Sequence, residues 1–178
     1  MKNLFVIAAL LILFVFTASA QQTKTDTKTL APTFSGITLG GKTINSAALK
    51  GKVLVLNLWF VNCPNCIQEI KLLNELVDAY KDNKDVVFIG LASNTKADLE
   101  KFLVKNPFKF QIIPNAGTFT LFKFGSSDKS GKYNLGYPTH VVIDREGQKV
   151  LQIEGVKGVA ALKEELKKQF EKTETKTK

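Results

Sequence analysis

Cys63 and Cys66 are the only two cysteines in this chain of 178 residues, and Pro64 and Asn65 separate them. Thiols this close can hand a bond between them: one attacks a foreign disulfide, and the other resolves the mixed disulfide that forms. The loop they close is too small for a structural staple. Glu69 follows Cys66 by one helical turn, and a carboxyl group there can take or give a proton. Zinc is the other chemistry of such a pair, but it needs four ligands, and His140 is the single histidine. Two cysteines and one histidine do suit Cu(I), a soft ion. A copper carrier built on Cys63, Cys66 and His140 is therefore the competing reading.

These residues need elements that hold them. Val53 to Phe60 is apolar on both alternating faces except at Asn57, which predicts a central strand buried on both sides. Pro64 to Tyr80 is predicted helical, with Pro64 in the first turn, where a missing N–H costs nothing. Cys66, Ile70, Leu73, Val77 and Tyr80 form one apolar stripe, and Glu69 falls on its buried side between Leu73 and Leu76. The pair thus opens a helix, whose free N–H groups and positive dipole end favour thiolate. Cys63 is expected to be the exposed nucleophile. Asn57 reads as a hydrogen-bonded structural residue, and so does His140. Trp59 reads equally as core packing or as a wall beneath the site.

Around this centre, Thr33 to Ile44 predicts an N-terminal β-hairpin, and Val86 to Ala92 a second buried strand. Thr95 caps a helix with Asp98 at the capping-box position, and Asn106-Pro107 ends it. Phe108, Phe110 and Ile112 alternate as a short strand, whereas Ala116 to Phe124 fits helix and strand equally well. Ser126 to Gly136 reads as a polar loop. Thr139 to Ile143 and Lys149 to Ile153 are strands joined by a turn at Asp144 to Gly147, and Val159 to Phe170 is a closing amphipathic helix. The order predicts an α/β fold with a central mixed sheet flanked by helices.

Residues 1–20 differ in kind. Lys2 is their only charge, Leu4 to Phe16 is continuously apolar, and Ala18-Ser19-Ala20 is a small-x-small cleavage signal. This predicts a signal peptide cut after Ala20, or the same segment kept as a membrane anchor. Residues 21–30 read as a disordered linker, 31–171 as the folded domain and 172–178 as a flexible tail. The net charge of +9 rests on dispersed lysines, with Arg145 the single arginine. Nucleic-acid readers cluster their charge and lean on arginine, so no nucleic-acid partner is expected.

Leu49-Lys-Gly-Lys52, Asn57-Leu-Trp59, the CxxC pair, and Gly136-Tyr-Pro-Thr139 followed by Val-Val-Ile-Asp occur in that order. In this combination the chain resembles the exported TlpA/ResA-like thiol–disulfide oxidoreductases of the thioredoxin superfamily, over most of Ala31 to Phe170. The resemblance implies a thioredoxin-like fold and an extracytoplasmic, periplasmic disulfide reductase. Its implied cofactor is none beyond the redox-active Cys63–Cys66 disulfide. Implied partners are client proteins bearing disulfides or thiols, apocytochrome c among them, and a membrane thiol–disulfide electron donor; the implied state is a monomer. Glu69 takes the family's proton-transfer role at Cys66. Pro138 takes that of a cis-proline against the pair, with Tyr137, Trp59 and Asn62 completing the client-binding surface.

Asn57 stands where thioredoxin has a proton-relaying Asp, and an amide cannot relay by ionising. Asn62 replaces the usual Trp, and Pro64-Asn65 replaces Gly-Pro, so the potential need not match the family's. The stretch from Ser126 to Leu135 is longer than usual and leads into Pro138. Copper-carrying relatives of the fold space their cysteines by three residues, against two here. Peroxiredoxins need Thr where this chain has Phe60.

Overall fold

The computed structural model describes residues 29–174. The expected leader, residues 21–28 of the linker and residues 175–178 lie outside the described residues. In chain order the elements begin with β1 (Thr29–Leu30), β2 (Ser35–Ile37), β3 (Thr43–Asn45) and β4 (Val53–Trp59). They continue through α1 (Pro64–Ala79), β5 (Val86–Ala92), α2 (Lys96–Leu103), β6 (Gln111–Ile113) and α3 (Gly117–Phe124). The last are β7 (Ser126–Ser127), β8 (Tyr133–Asn134), β9 (Thr139–Ile143), β10 (Gln148–Glu154) and α4 (Gly158–Glu174).

Six strands form one mixed sheet in the order β1-β10-β9-β4-β5-β6. The pairs β4–β5 and β5–β6 are parallel, and β4–β9 and β9–β10 are antiparallel. All seven residues of β4 are buried, because helices or the β2–β3 hairpin cover both of its faces. Side chains alternate across a strand. Val53, Val55 and Trp59 therefore pack with Leu73 and Leu76 of α1 and with Leu162 and Leu166 of α4. Leu54, Leu56 and Leu58 turn the other way, toward Phe34, Ile44 and Phe124. A fully buried leucine such as Leu56 stabilises the fold by about 1.5–3 kcal/mol relative to an exposed one. Asn57 shares the face of Val55 and Trp59, and that parity decides what it can reach.

At three places the structure departs from the sequence reading, and at a fourth it decides between helix and strand. Thr29 and Leu30, read as the end of the linker, pair with Lys149 and Gln148 and cover the outer edge of β10, whose backbone groups would otherwise be unpaired. Residues 117–124 are helical, started without a side-chain cap. In the expected strand of Phe108, Phe110 and Ile112, the two phenylalanines precede β6 and stack on each other with ring centroids 4.6 Å apart. The expected loop from Ser126 to Gly136 contains the β7–β8 hairpin. Its turn is tied by Asp128, whose Oδ1 accepts from Ser130 Oγ at 2.6 Å, Ser130 N at 2.8 Å and Lys132 N at 3.0 Å. Those bonds, led by the Ser130 hydroxyl, hold the Asp128 carboxyl below its ordinary range.

Candidate active site

The chain leaves β4 at Trp59 and enters α1 at Pro64, so the cysteines lie at the carboxyl end of a central strand. Two contacts fix the intervening turn. Trp59 O accepts from Ser93 N at 3.0 Å, and Val61 N donates to Asn94 Oδ1 at 2.9 Å. Cys63 is the N-cap of α1, and its Sγ accepts from Cys66 N at 3.2 Å. Pro64 occupies the first turn, as its missing donor allows. Cys63 and Cys66 are joined as a disulfide with Cα atoms 5.2 Å apart.

Cys63 is not the exposed residue that its place at the helix start suggests. It is 4% exposed and Cys66 is 3% exposed, so in the disulfide state burial hardly separates them. What does separate them is position. Cys63 Sγ receives a backbone N–H at the positive end of the helix, and Cys66 lies one turn inward. When the disulfide opens, that N–H and the dipole favour thiolate at Cys63.

The peptide bond between Tyr137 and Pro138 is cis. Pro138 is buried, and its carbonyl accepts from Gly155 N at 2.8 Å, which ties the segment to the end of β10. Tyr137 is half-buried, and its ring meets Phe60 edge-on at 5.2 Å. Both rings pack against the core cluster that contains Cys63 and Cys66. Asn62 is exposed next to Cys63. Trp59 does not reach a surface. It is 1% exposed and lies against Phe102 and Phe108, with ring centroids at 5.7 and 5.4 Å. It belongs to the core cluster that contains Cys63 and Cys66, and its burial keeps it from a client's reach.

Glu69 does not snorkel out of its stripe. It is 2% exposed, and its Oε2 lies 2.9 Å from His140 Nε2. His140 is fully buried, and its Nδ1 lies 3.2 Å from Asn57 Nδ2. The register of the sheet explains the meeting: Asn57 of β4 and His140 of β9 are direct cross-strand partners. α1 then lowers Glu69 onto the same face. Sequence reasoning singled out all three residues but never joined them; the antiparallel pairing of β4 with β9 is the missing link. It missed Asn94 entirely. Both imidazole nitrogens are engaged, so the copper reading loses its third ligand. Among the described residues, no cluster of three or more His, Cys, Asp or Glu is placed to hold a metal ion.

A strand–CxxC–helix disulfide on a mixed sheet, together with a cis-proline whose neighbour Tyr137 packs on the same core cluster, defines a thioredoxin-fold thiol–disulfide oxidoreductase. The chain belongs to the AhpC/TSA family, whose model matches residues 27–151. It is 35% identical over 127 residues to a thiol-disulfide oxidoreductase ResA of Bacillus cereus, covering 70% of this chain and 68% of that one. A thiol:disulfide interchange protein of the thioredoxin family from Chlorobium tepidum superposes with a TM-score of 0.59 at 28% identity, covering 71% of this chain and 85% of the other. The thioredoxin domain of a thiol-disulfide oxidoreductase from Bacteroides vulgatus has the same fold, with a TM-score of 0.62 at 21% identity over 77% of this chain and 95% of its own.

Proposed function

We propose that this oxidoreductase is an extracytoplasmic protein-disulfide reductase. The observation that carries the reading is the placement of the Cys63–Cys66 disulfide at the start of α1, with Cys63 Sγ on the Cys66 N–H. In the reduced form, the Cys63 thiolate attacks one sulfur of a client disulfide. The client's second sulfur leaves as a thiolate, and a Cys63–client disulfide remains. Cys66 gives its proton to Glu69 and, as thiolate, attacks Cys63 Sγ. The Cys63–Cys66 bond forms, and the client's first sulfur leaves with the electron pair. The client is now a dithiol. A membrane thiol–disulfide donor returns two electrons to the pair, and no organic cofactor takes part.

The client lies as an extended strand against Tyr137 and Pro138, next to Asn62, and clients in cytochrome c maturation fit this chemistry. An export location is supported by the apolar leader of residues 4–16 with its cleavage signal. No helix among the described residues is long and apolar enough to cross a membrane.

Trapping tests this reading. With the resolving thiol removed, Cys66→Ser holds clients as mixed disulfides on Cys63. These adducts disappear with reductant and are absent from Cys63→Ser, which non-reducing gels and mass spectrometry of the adducts read directly. Absence of adducts from Cys66→Ser would sink the reading.

A further inference from the structure

The Glu69 carboxylate is half-satisfied. Its Oε2 faces His140 Nε2 at 2.9 Å, while its Oε1 is buried with no hydrogen-bond partner among the described residues. A buried acceptor left unpaired is costly. Cys66, one turn before Glu69 on the same buried face of α1, is locked in the disulfide and has no proton to offer. Reduction creates one. From these observations, and resting on the reductase reading above, we propose that His140 is a positioning residue for the redox step. It ties down Oε2 of Glu69, so that Oε1 remains the acceptor for the Cys66 proton.

The surroundings of His140 fit a neutral ring with one fixed tautomer. From β4, the Asn57 Nδ2–H group donates to Nδ1 at 3.2 Å, which leaves the proton on Nε2, directed at Glu69. From α4, Gly158 lies against the ring: a Cβ there would overlap His140 Cδ2, so only glycine admits the imidazole. The same contact puts the ring at the N-terminus of α4. Val159 and Leu162 of α4 are buried and apolar, and Lys157, one residue before Gly158, is exposed. From β10, Ile153 is the cross-strand partner of His140, and Glu154 beside it is exposed. From α1 come Glu69 and Cys66. The acid–base groups buried on this face are therefore Cys66, Glu69 and His140, of which Glu69 and His140 are in contact.

In the resolving step, the Cys66 S–H proton passes to Glu69 Oε1, and the Cys66 thiolate displaces the client from Cys63. His140 changes neither charge nor tautomer. Its contribution is to hold one oxygen so that the other stays aimed.

Two variants separate this role from packing. The amide of His140→Gln reaches about as far as Nε2 and keeps a donor for Glu69, whereas His140→Asn matches Nδ1 and loses it. The readout is the single-turnover release of a small peptide thiol from a preformed Cys63 mixed disulfide, followed against pH. His140→Asn should slow release by about tenfold or more and shift the pH profile, as a misaimed proton acceptor does, while His140→Gln stays near wild type. In a Glu69→Gln background, His140→Asn should add no further slowing. Because His140 is the single histidine, the imidazole 15N spectrum of the unmodified protein gives an independent check: it should report a neutral ring with the proton on Nε2 in both redox states. A proton on Nδ1, or a wild-type pH profile in folded His140→Asn, would overturn the proposal. If Glu69→Gln slows release and His140→Asn does not, only the role of His140 falls. If Glu69→Gln has no effect, the proton-transfer role of Glu69 falls with it.

Discussion

Glu69→Gln slows the resolving step by about a hundredfold, the lower end of what a positioned general acid or base supplies. The side chain keeps its size, and its amide oxygen still accepts from His140 Nε2, so the fold is preserved while the proton acceptor is lost. Attack by Cys63 on a client disulfide precedes any demand on Glu69 and should keep its wild-type rate. Rapid mixing with a fluorescent disulfide substrate separates the two phases. The slow phase should also lose the pH dependence that Glu69 imposes on Cys66. An unchanged pH–rate profile would return Glu69 to a purely structural role, as a buried partner for His140.

Trp59→Ala removes a ring from the core cluster that holds the disulfide and destabilises the protein by about 3–5 kcal/mol, the range for a large aromatic in a packed interior. Trp59 is 1% exposed and meets Phe102 and Phe108, so truncation opens a cavity that those two rings cannot fill without leaving their own contacts. For a domain of this size, each kcal/mol lowers Tm by about 2–4 °C, so a fall of roughly 6–20 °C is expected. Urea denaturation and calorimetry measure both quantities. A loss below about 1 kcal/mol together with weakened client binding would mean that Trp59 touches clients after all.

Much of this site was legible in the sequence because its parts are local. The CxxC pair, the apolar strand before it and the stripe of α1 lie within one stretch of about thirty residues, where periodicity speaks directly. The burial of Glu69 followed from the same helical geometry. What could not be read were relations set by distant segments. The Asn57–His140 contact depends on β4 pairing with β9, 83 residues apart in the chain. The low exposure of Cys63 comes with its membership of a core cluster against which Phe60 and, from the distant proline segment, Tyr137 also pack, and does not follow from its place in α1. The β7–β8 hairpin is built by one aspartate bonding to its own turn, in a stretch whose polar composition reads simply as loop. Thr29 and Leu30 become a strand only because β10 has an edge to cover.

The direction of electron flow is the claim on which the reductase reading stands, and the reduction potential of the Cys63–Cys66 pair tests it most directly. Equilibrating the protein in graded thiol–disulfide buffers at pH 7 and trapping the free thiols by alkylation gives that value from the oxidised fraction. A potential at or below about −250 mV is predicted, in the range of thiol pairs that deliver electrons to client disulfides. A potential near about −120 mV would show a pair that gives away its disulfide, and would contradict the assignment as a reductase.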